Sequence, residues 1–434
     1  MNMVDIITRK RDGGTLSREE IDYFIEGYTA GEIPDYQASA LLMAIYFRHL
    51  DRRETYLLTD AMMRSGDIID LSGIDGVKVD KHSTGGVGDK TTLIAAPLAA
   101  ALGVRVAKMS GRGLGFTGGT VDKMESIPGF ETSLEEERFT ELVNKNGIAV
   151  TGQTAHIARA DKKLYALRDV TATVDDISLI TSSVMSKKLA SGSDAIVLDV
   201  KCGSGAFMKD LDQARKMAEL MVEMGDRAGK KTIALISDMD QPLGRAVGNS
   251  LEVIEAIETL KGKGPRDISD LSLALAGAMA FAGGAAQSME EGRAAAAQAL
   301  QSGAGLEKFR AFVAGQGGNA AICDDYTLFG EAKFSREVCS PASGYISRLN
   351  AERIGLASQH TGAGREKKDD VPDLRAGIRL KKKRGARVDR GETLAVLYAN
   401  SEERLETACK EYLDAVEISD ERPRPGKLIL DIVS

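Results

Sequence analysis

The 434-residue sequence predicts an α/β plus α chain in three parts. These are a small all-α domain, a large α/β domain with a mostly parallel mixed sheet, and a C-terminal α+β domain. Three patterns carry the prediction. Capped amphipathic segments fill the first 65 residues. Short apolar runs then alternate with helical stretches. Past residue 330 short strands and turns take over.

In the first part Ser17 and Glu20 form a capping box before Ile21, Phe24 and Ile25, and Asp51 and Glu54 repeat it before Tyr56, Leu57 and Leu58. Pro34 and Asp35 open the helix between them, which carries Leu41, Leu42, Ile45 and Tyr46. Strand candidates follow at 77–80, 104–109, 148–150, 195–200 and 232–236. Residues 161–168 and 179–190 read as helical, which allows this stretch to return to the first helical unit. The expected domains are therefore 1–65 with 161–191, 66–160 with 192–330, and 331–434. Residues 271–286, rich in Ala and Gly, are short for a membrane span and read as a buried helix. The strands near 343–346, 377–380 and 388–394 resemble the hairpins of lipoyl-like sandwiches, but no lysine sits at a lipoylation-type tip, so they read as structural.

A net charge of −7 argues against a broad nucleic-acid footprint. The basic run 381–384 reads as a solvated hairpin edge. No signal-peptide core opens the chain. The four cysteines (Cys202, Cys323, Cys339, Cys409) lack CxxC spacing and read as reduced thiols of a cytoplasmic protein. The four histidines are scattered, which gives a histidine metal cluster little support.

The chemistry concentrates in two Gly/Ser/Thr-rich loops, each just after a strand candidate. They are KHSTGGVGDKTT at 81–92 and SGRGLGFTGGT at 110–120. Glycines let backbone N–H groups converge on an anion, and hydroxyls add neutral donors. A nucleotide P-loop fails, because Asp89 separates Gly88 from Lys90. A dinucleotide fingerprint through Gly113, Gly115 and Gly118 is loose and lacks its acidic partner. Ordinary tight turns are the plain alternative. Lys81, His82, Ser83, Thr91, Thr92, Ser110 and Thr120 add too many donors for that reading and favour an oxyanion cradle. Ser183 and Lys187 share a helix face at i, i+4. Taken alone they are a solvated pair, Arg168 is a surface partner of Asp169, His82 is a satisfied loop histidine, and Glu255 is a solvated helix residue.

Longer strings decide the family. DKHSTGGVGD at 80–89, SGRGLG at 110–115, TGGTVDKMES at 117–126, ADKKLYALRDVTATV at 160–174, SKK at 186–188 and DVKCGSGAFM at 199–208 closely resemble thymidine and pyrimidine-nucleoside phosphorylases. The resemblance runs through essentially the whole chain, including GAGR at 362–365. It implies a homodimer with its active site between the α and α/β domains. It also implies reversible phosphorolysis of uridine, thymidine and deoxyuridine to free base and (deoxy)ribose 1-phosphate, in pyrimidine salvage. By the same resemblance Lys81, Ser83, Thr92, Ser110 and Thr120 hold inorganic phosphate, the co-substrate. Arg168, Ser183 and Lys187 hold the base, and His82, Arg168 and Lys187 are catalytic. His82 is expected to act as an acid or as a hydrogen-bond donor to a base carbonyl. No organic cofactor is implied. A monovalent cation such as potassium is implied near Gly88, Leu243, Ala246 and Glu255. Three positions depart from the family pattern. Phe116 stands for a histidine and Cys202 for Thr or Val. Lys90 replaces a small or β-branched residue, which bears on cation binding through this loop. Lys108-Met109 before Ser110 resembles the broader-specificity group, so both uridine and thymidine are expected substrates. The alternatives are a strict thymidine phosphorylase, an anthranilate-type phosphoribosyltransferase, and a non-catalytic sensor that kept the fold.

Overall fold

The computed structural model describes residues 1–113, 115–153, 156–367 and 370–434. Leu114, within the second glycine-rich loop, lies outside them. Four helices open the chain: α1 (Met3–Arg11), α2 (Arg18–Ala30), α3 (Asp35–Arg48) and α4 (Arg52–Arg64). Both capping boxes form, at Ser17/Glu20 and Asp51/Glu54, and α3 starts after Pro34. Glu54 does more than cap. Its carboxylate accepts the buried Lys10 ammonium at 2.8 Å and the Leu16 N–H at 2.8 Å, tying α1 to α4.

The central elements run β1 (Lys78–Ser83), α5 (Thr91–Ala101), β2 (Arg105–Ser110), α6 (Thr120–Glu125), α7 (Glu136–Asn146) and β3 (Ile148–Gly152). Then come α8 (Arg159–Asp169), α9 (Ile177–Ala190), β4 (Ala195–Cys202), α10 (Leu211–Arg227), β5 (Lys231–Asp238) and β6 (Ala246–Gly248). Helices α11 (Asn249–Leu260), α12 (Arg266–Ala282), α13 (Met289–Gln301) and α14 (Ala304–Gly315) complete this part. The apolar 271–286 stretch is a buried helix as far as Ala282, where α12 ends, and residues 283–286 turn away from it. Ala160, Leu164 and Leu179, from α8 and α9, join the core of the N-terminal helices.

The C-terminal part contains β7 (Phe334–Cys339), β8 (Gly344–Leu349), α15 (Ala351–Ser358), β9 (Gly377–Leu380), β10 (Arg387–Val388), β11 (Thr393–Ala399), α16 (Glu402–Asp414), β12 (Val416–Ser419) and β13 (Ile429–Val433). Its strands make a three-stranded sheet β10-β8-β12 and, joined by β6 from the central part, a four-stranded sheet β6-β9-β11-β7. The last strand departs from the expected plan. β13 leaves the C-terminal part and pairs antiparallel with β5, closing the edge of the central sheet, whose order is β13-β5-β4-β1-β2-β3. The other neighbours are parallel, so the sheet is mixed as expected. The 381–384 run also differs from a solvated edge. Lys383 points inward and donates to the carbonyls of Pro242 and Gly244 and to Asp267.

The period-2 alternation of strands sorts the sheet's side chains. Val79, Val197, Ile233 and Leu235 join the core under one face, while Ile196, Leu198, Val200, Ala234 and Ile236 join another under the opposite face. Toward the carboxyl ends of β1 and β4 the first alternation continues into Lys81, Asp199 and Lys201, all buried. The crevice beyond those strand ends is where open parallel sheets bind ligands.

Candidate active site

A cleft of about 300 Å³ opens beyond the carboxyl ends of β1 and β2. One wall is built by the two glycine-rich loops. The other comes from α8 and α9. His82, Ser83, Thr92, Ser110, Thr120, Arg168, Ser183 and Lys187 all line it. Two sets of residues, Ser83 to Thr120 and Arg168 to Lys187, thus face one space although they are far apart in sequence.

The loop wall is a donor surface over a charged floor. Thr92 lies in the first turn of α5, whose N-terminal N–H groups and dipole favour an anion. The Ser83 hydroxyl donates to Asp89, and the Gly85 N–H donates to Ser83 Oγ at 3.2 Å. Thr91 Oγ1 donates to Asp89 Oδ1 at 2.6 Å. Lys81 lies beneath the surface instead of lining it. Its ammonium donates to Thr91 Oγ1 at 2.6 Å and sits 3.7 Å from Asp199. Lys81 therefore acts on the cleft through Thr91 and through its field. Burial pulls its pKa down, while Asp89 and Asp199 oppose that. The same two carboxylates outweigh burial at Lys201 and raise its pKa.

The helical wall is cationic. Arg168 is fixed by carbonyls, its Nε donating to Thr173 at 3.1 Å, Nη1 to Leu179 at 3.1 Å and Nη2 to Val174 at 2.7 Å. It is no surface partner of Asp169. Lys187 donates to Ser183 Oγ at 3.1 Å and pairs with Asp161 from α8. The i, i+4 pair is thus locked to a second helix. Lys188, one residue on, points to the sheet and reaches Asp80 at 2.7 Å and the Met109 carbonyl at 2.8 Å.

His82 sits half-buried between the walls. Burial first, then the ammonium groups of Lys188, Lys108, Lys81 and Lys187, hold its imidazole well below its usual range. Neutral imidazole is the stable form near pH 7, so of the two expected roles the geometry favours the N–H donor.

Residues outside the sequence-derived set include Lys108 and Tyr165 on the cleft wall and Asp161 behind Lys187. Lys108 was visible only as one residue of a specificity pattern, and nothing periodic marks Asp161 as a partner 26 positions from Lys187. Burial takes Lys108 down to about 7, against the pull of Asp80 and with the push of Lys188 and Lys81. Above pH 7 the unfolded chain holds a proton that folded Lys108 has lost. Stability from this residue therefore rises with pH between about 7 and its ordinary 10.5, and stays at its low level below 7. Urea unfolding at pH 7 and 9 should show that slope in the parent, up to about 1.4 kcal/mol per pH unit. In Lys108→Met it should be flatter, and equal slopes would rule out the titration.

Gly88, Leu243, Ala246 and Glu255 also come together, but away from the cleft and around the side chain of Lys90. Among the described residues no group of three or more His, Cys, Asp or Glu side chains is placed to hold a metal.

This architecture has known counterparts. Residues 4–66 match the helical bundle domain and 75–306 the a/b domain of the glycosyl transferase family. Residues 345–419 match the pyrimidine nucleoside phosphorylase C-terminal domain. The chain is 54% identical to the pyrimidine-nucleoside phosphorylase of Geobacillus stearothermophilus over 434 residues, covering 100% of both chains. The chain belongs to the pyrimidine-nucleoside phosphorylase family. A second relative of that name, from Staphylococcus haemolyticus, is 54% identical over 425 residues and covers 98% of each chain. Among solved structures, anthranilate phosphoribosyltransferase from Thermus thermophilus superposes with a TM-score of 0.57 at 22% identity, covering 71% of this chain and 98% of that one. That likeness is one of fold.

Proposed function

We propose that this chain catalyses the reversible phosphorolysis of pyrimidine nucleosides, uridine, thymidine and deoxyuridine among them, for salvage. The observation that carries the reading is the two-walled cleft: hydroxyl and N–H donors over buried lysines on one side, a fixed cationic set on the other. The full-length relatives support it.

In this reading Ser83, Thr92, Ser110 and Thr120 hold inorganic phosphate, with Lys81 behind them. Arg168, Ser183 and Lys187 hold the pyrimidine. A phosphate oxygen attacks C1′ as the C1′–N1 bond breaks, and the bonding pair leaves on the base. The proton carried by hydrogen phosphate ends on that base. Charge grows on the ring in the transition state, so fixed cations beside it stabilise that state more than the substrate. Seating phosphate against C1′ supplies proximity. The His82 N–H donates to a base carbonyl. His82→Ala should lower kcat by roughly 10-fold, and because the imidazole is already neutral the pH profile should lose no limb near pH 6.5. Unchanged turnover would remove His82 from the reaction.

We read the protein as a cytoplasmic homodimer. Val4 on α1 and Tyr36 and Phe47 on α3, large apolar side chains left exposed on the helical domain, support the dimer. No described helix is long and apolar enough to cross a membrane.

The deciding assay follows release of uracil or thymine from uridine, thymidine and deoxyuridine with and without phosphate. Phosphate-dependent release from all three is expected. Release from thymidine alone would limit the reading to a strict thymidine enzyme. No release from any, with turnover of a diphosphorylated sugar instead, would replace it by phosphoribosyl transfer.

A further inference from the structure

The residues that the family resemblance assigns to a cation do not leave that place to an ion. They converge on an ammonium group that the chain carries itself. Lys90 is buried, and its Nζ donates to the Leu243 carbonyl at 3.0 Å, the Ala246 carbonyl at 3.0 Å and Glu255 Oε2 at 2.5 Å. An ammonium has three N–H donors, and each finds an oxygen here. The Glu255 carboxylate also accepts the Arg245 N–H at Oε1, 2.9 Å, and the Ala246 N–H at 3.1 Å on Oε2, the oxygen that Lys90 uses. The charge is therefore matched and the oxygens are used.

The surroundings are also full. A Cβ added at Gly88 would stand 2.5 Å from the Leu243 oxygen, and one at Gly244 would stand 2.9 Å from Lys90 Nζ. A separate cation would have to share these oxygens with a buried positive charge. The neighbouring carbonyls are claimed in the same way: Lys383 donates to Pro242, to Gly244 at 2.9 Å and to Asp267 at 3.0 Å. Two lysines thus take the carbonyls of residues 242, 243, 244 and 246.

We propose that the Lys90 ammonium is a built-in monovalent cation, which fastens the first glycine-rich loop to residues 243–246 and makes the protein independent of potassium at this place. Lys90 is the residue just before α5 and lies between Asp89 and Thr91. The fastening therefore sets the position of one wall of the cleft. The proposal concerns ion dependence and loop position, and it stands whichever nucleoside is the substrate.

The test compares the full-length protein in tetramethylammonium chloride and in potassium chloride at equal ionic strength. The parent is expected to show the same thermal midpoint in both. Lys90→Thr should melt several degrees lower in tetramethylammonium and recover saturably as potassium is added. Lys90→Met should stay low in both salts. A saturable, potassium-specific rise in the parent midpoint would overturn the proposal, as would indifference of Lys90→Thr to potassium. Should Lys90→Thr fail to fold in every salt, thallium-205 NMR of the parent decides. A bound thallous resonance overturns the proposal and its absence upholds it.

Discussion

Replacing Lys187 by methionine is expected to lower kcat for uridine by roughly 10²–10³-fold, the usual cost of deleting one charged donor aimed at developing charge. The expectation rests on where Lys187 sits. It lines the cleft beside Arg168, and its ammonium is steered by Ser183 Oγ at 3.1 Å and by Asp161. In the proposed reading phosphate sits on the opposite wall, so the KM for phosphate should move far less than kcat. The variant also strands Asp161, whose Oδ1 already has no hydrogen-bond partner. Lys187→Met alone should therefore lose stability, and Lys187→Met/Asp161→Asn should regain it without regaining turnover. Steady-state kinetics and urea unfolding on the three proteins separate these effects. A kcat that survives in Lys187→Met, or returns in the double variant, would defeat the catalytic assignment.

The second large effect lies under the cleft. Asp199 is fully buried, pairs with Lys201 at 2.7 Å, sits 3.7 Å from Lys81 and accepts Ser237 Oγ at 2.5 Å. Asp199→Asn keeps the shape and removes the charge, leaving two buried ammonium groups with Asp89, and for Lys201 also Asp238, as the remaining counter-charges. Breaking such a pair costs about 3–5 kcal/mol. Urea unfolding should show a loss of that order, and the KM for phosphate should rise because Lys81 no longer holds Thr91 as before. A loss below about 1 kcal/mol, the level of a surface pair, would show that the network is dispensable.

Sequence and structure agree where the signal is local. Capping boxes lie within four residues, the glycine loops follow their strands directly, and Ser183 and Lys187 are one helical turn apart. Each can be read without knowing the fold. What escaped the sequence is distant pairing. Lys90 meets its carbonyls more than 150 positions away, Lys383 meets Pro242 141 positions away, and β13 finds β5 across the whole C-terminal part. Lys90 stood out as a departure from a pattern, but composition and spacing give no hint that its tip fills a ring of oxygens. Arg168 shows the same limit. Its neighbour Asp169 is the obvious partner on paper, yet three backbone carbonyls created by the 173–179 turn take the guanidinium.

The antiparallel strand β13 has a bearing on how the protein is made. Synthesis proceeds from the amino end, so β5 emerges long before the segment that covers it. Until residue 429 is available, the outer edge of β5 is an unpaired row of N–H and C=O groups on an apolar strand, the kind of edge that captures other chains. Completion of the central sheet therefore waits until residues 239–428 have been made, and the nascent chain carries an open edge throughout that stretch of synthesis.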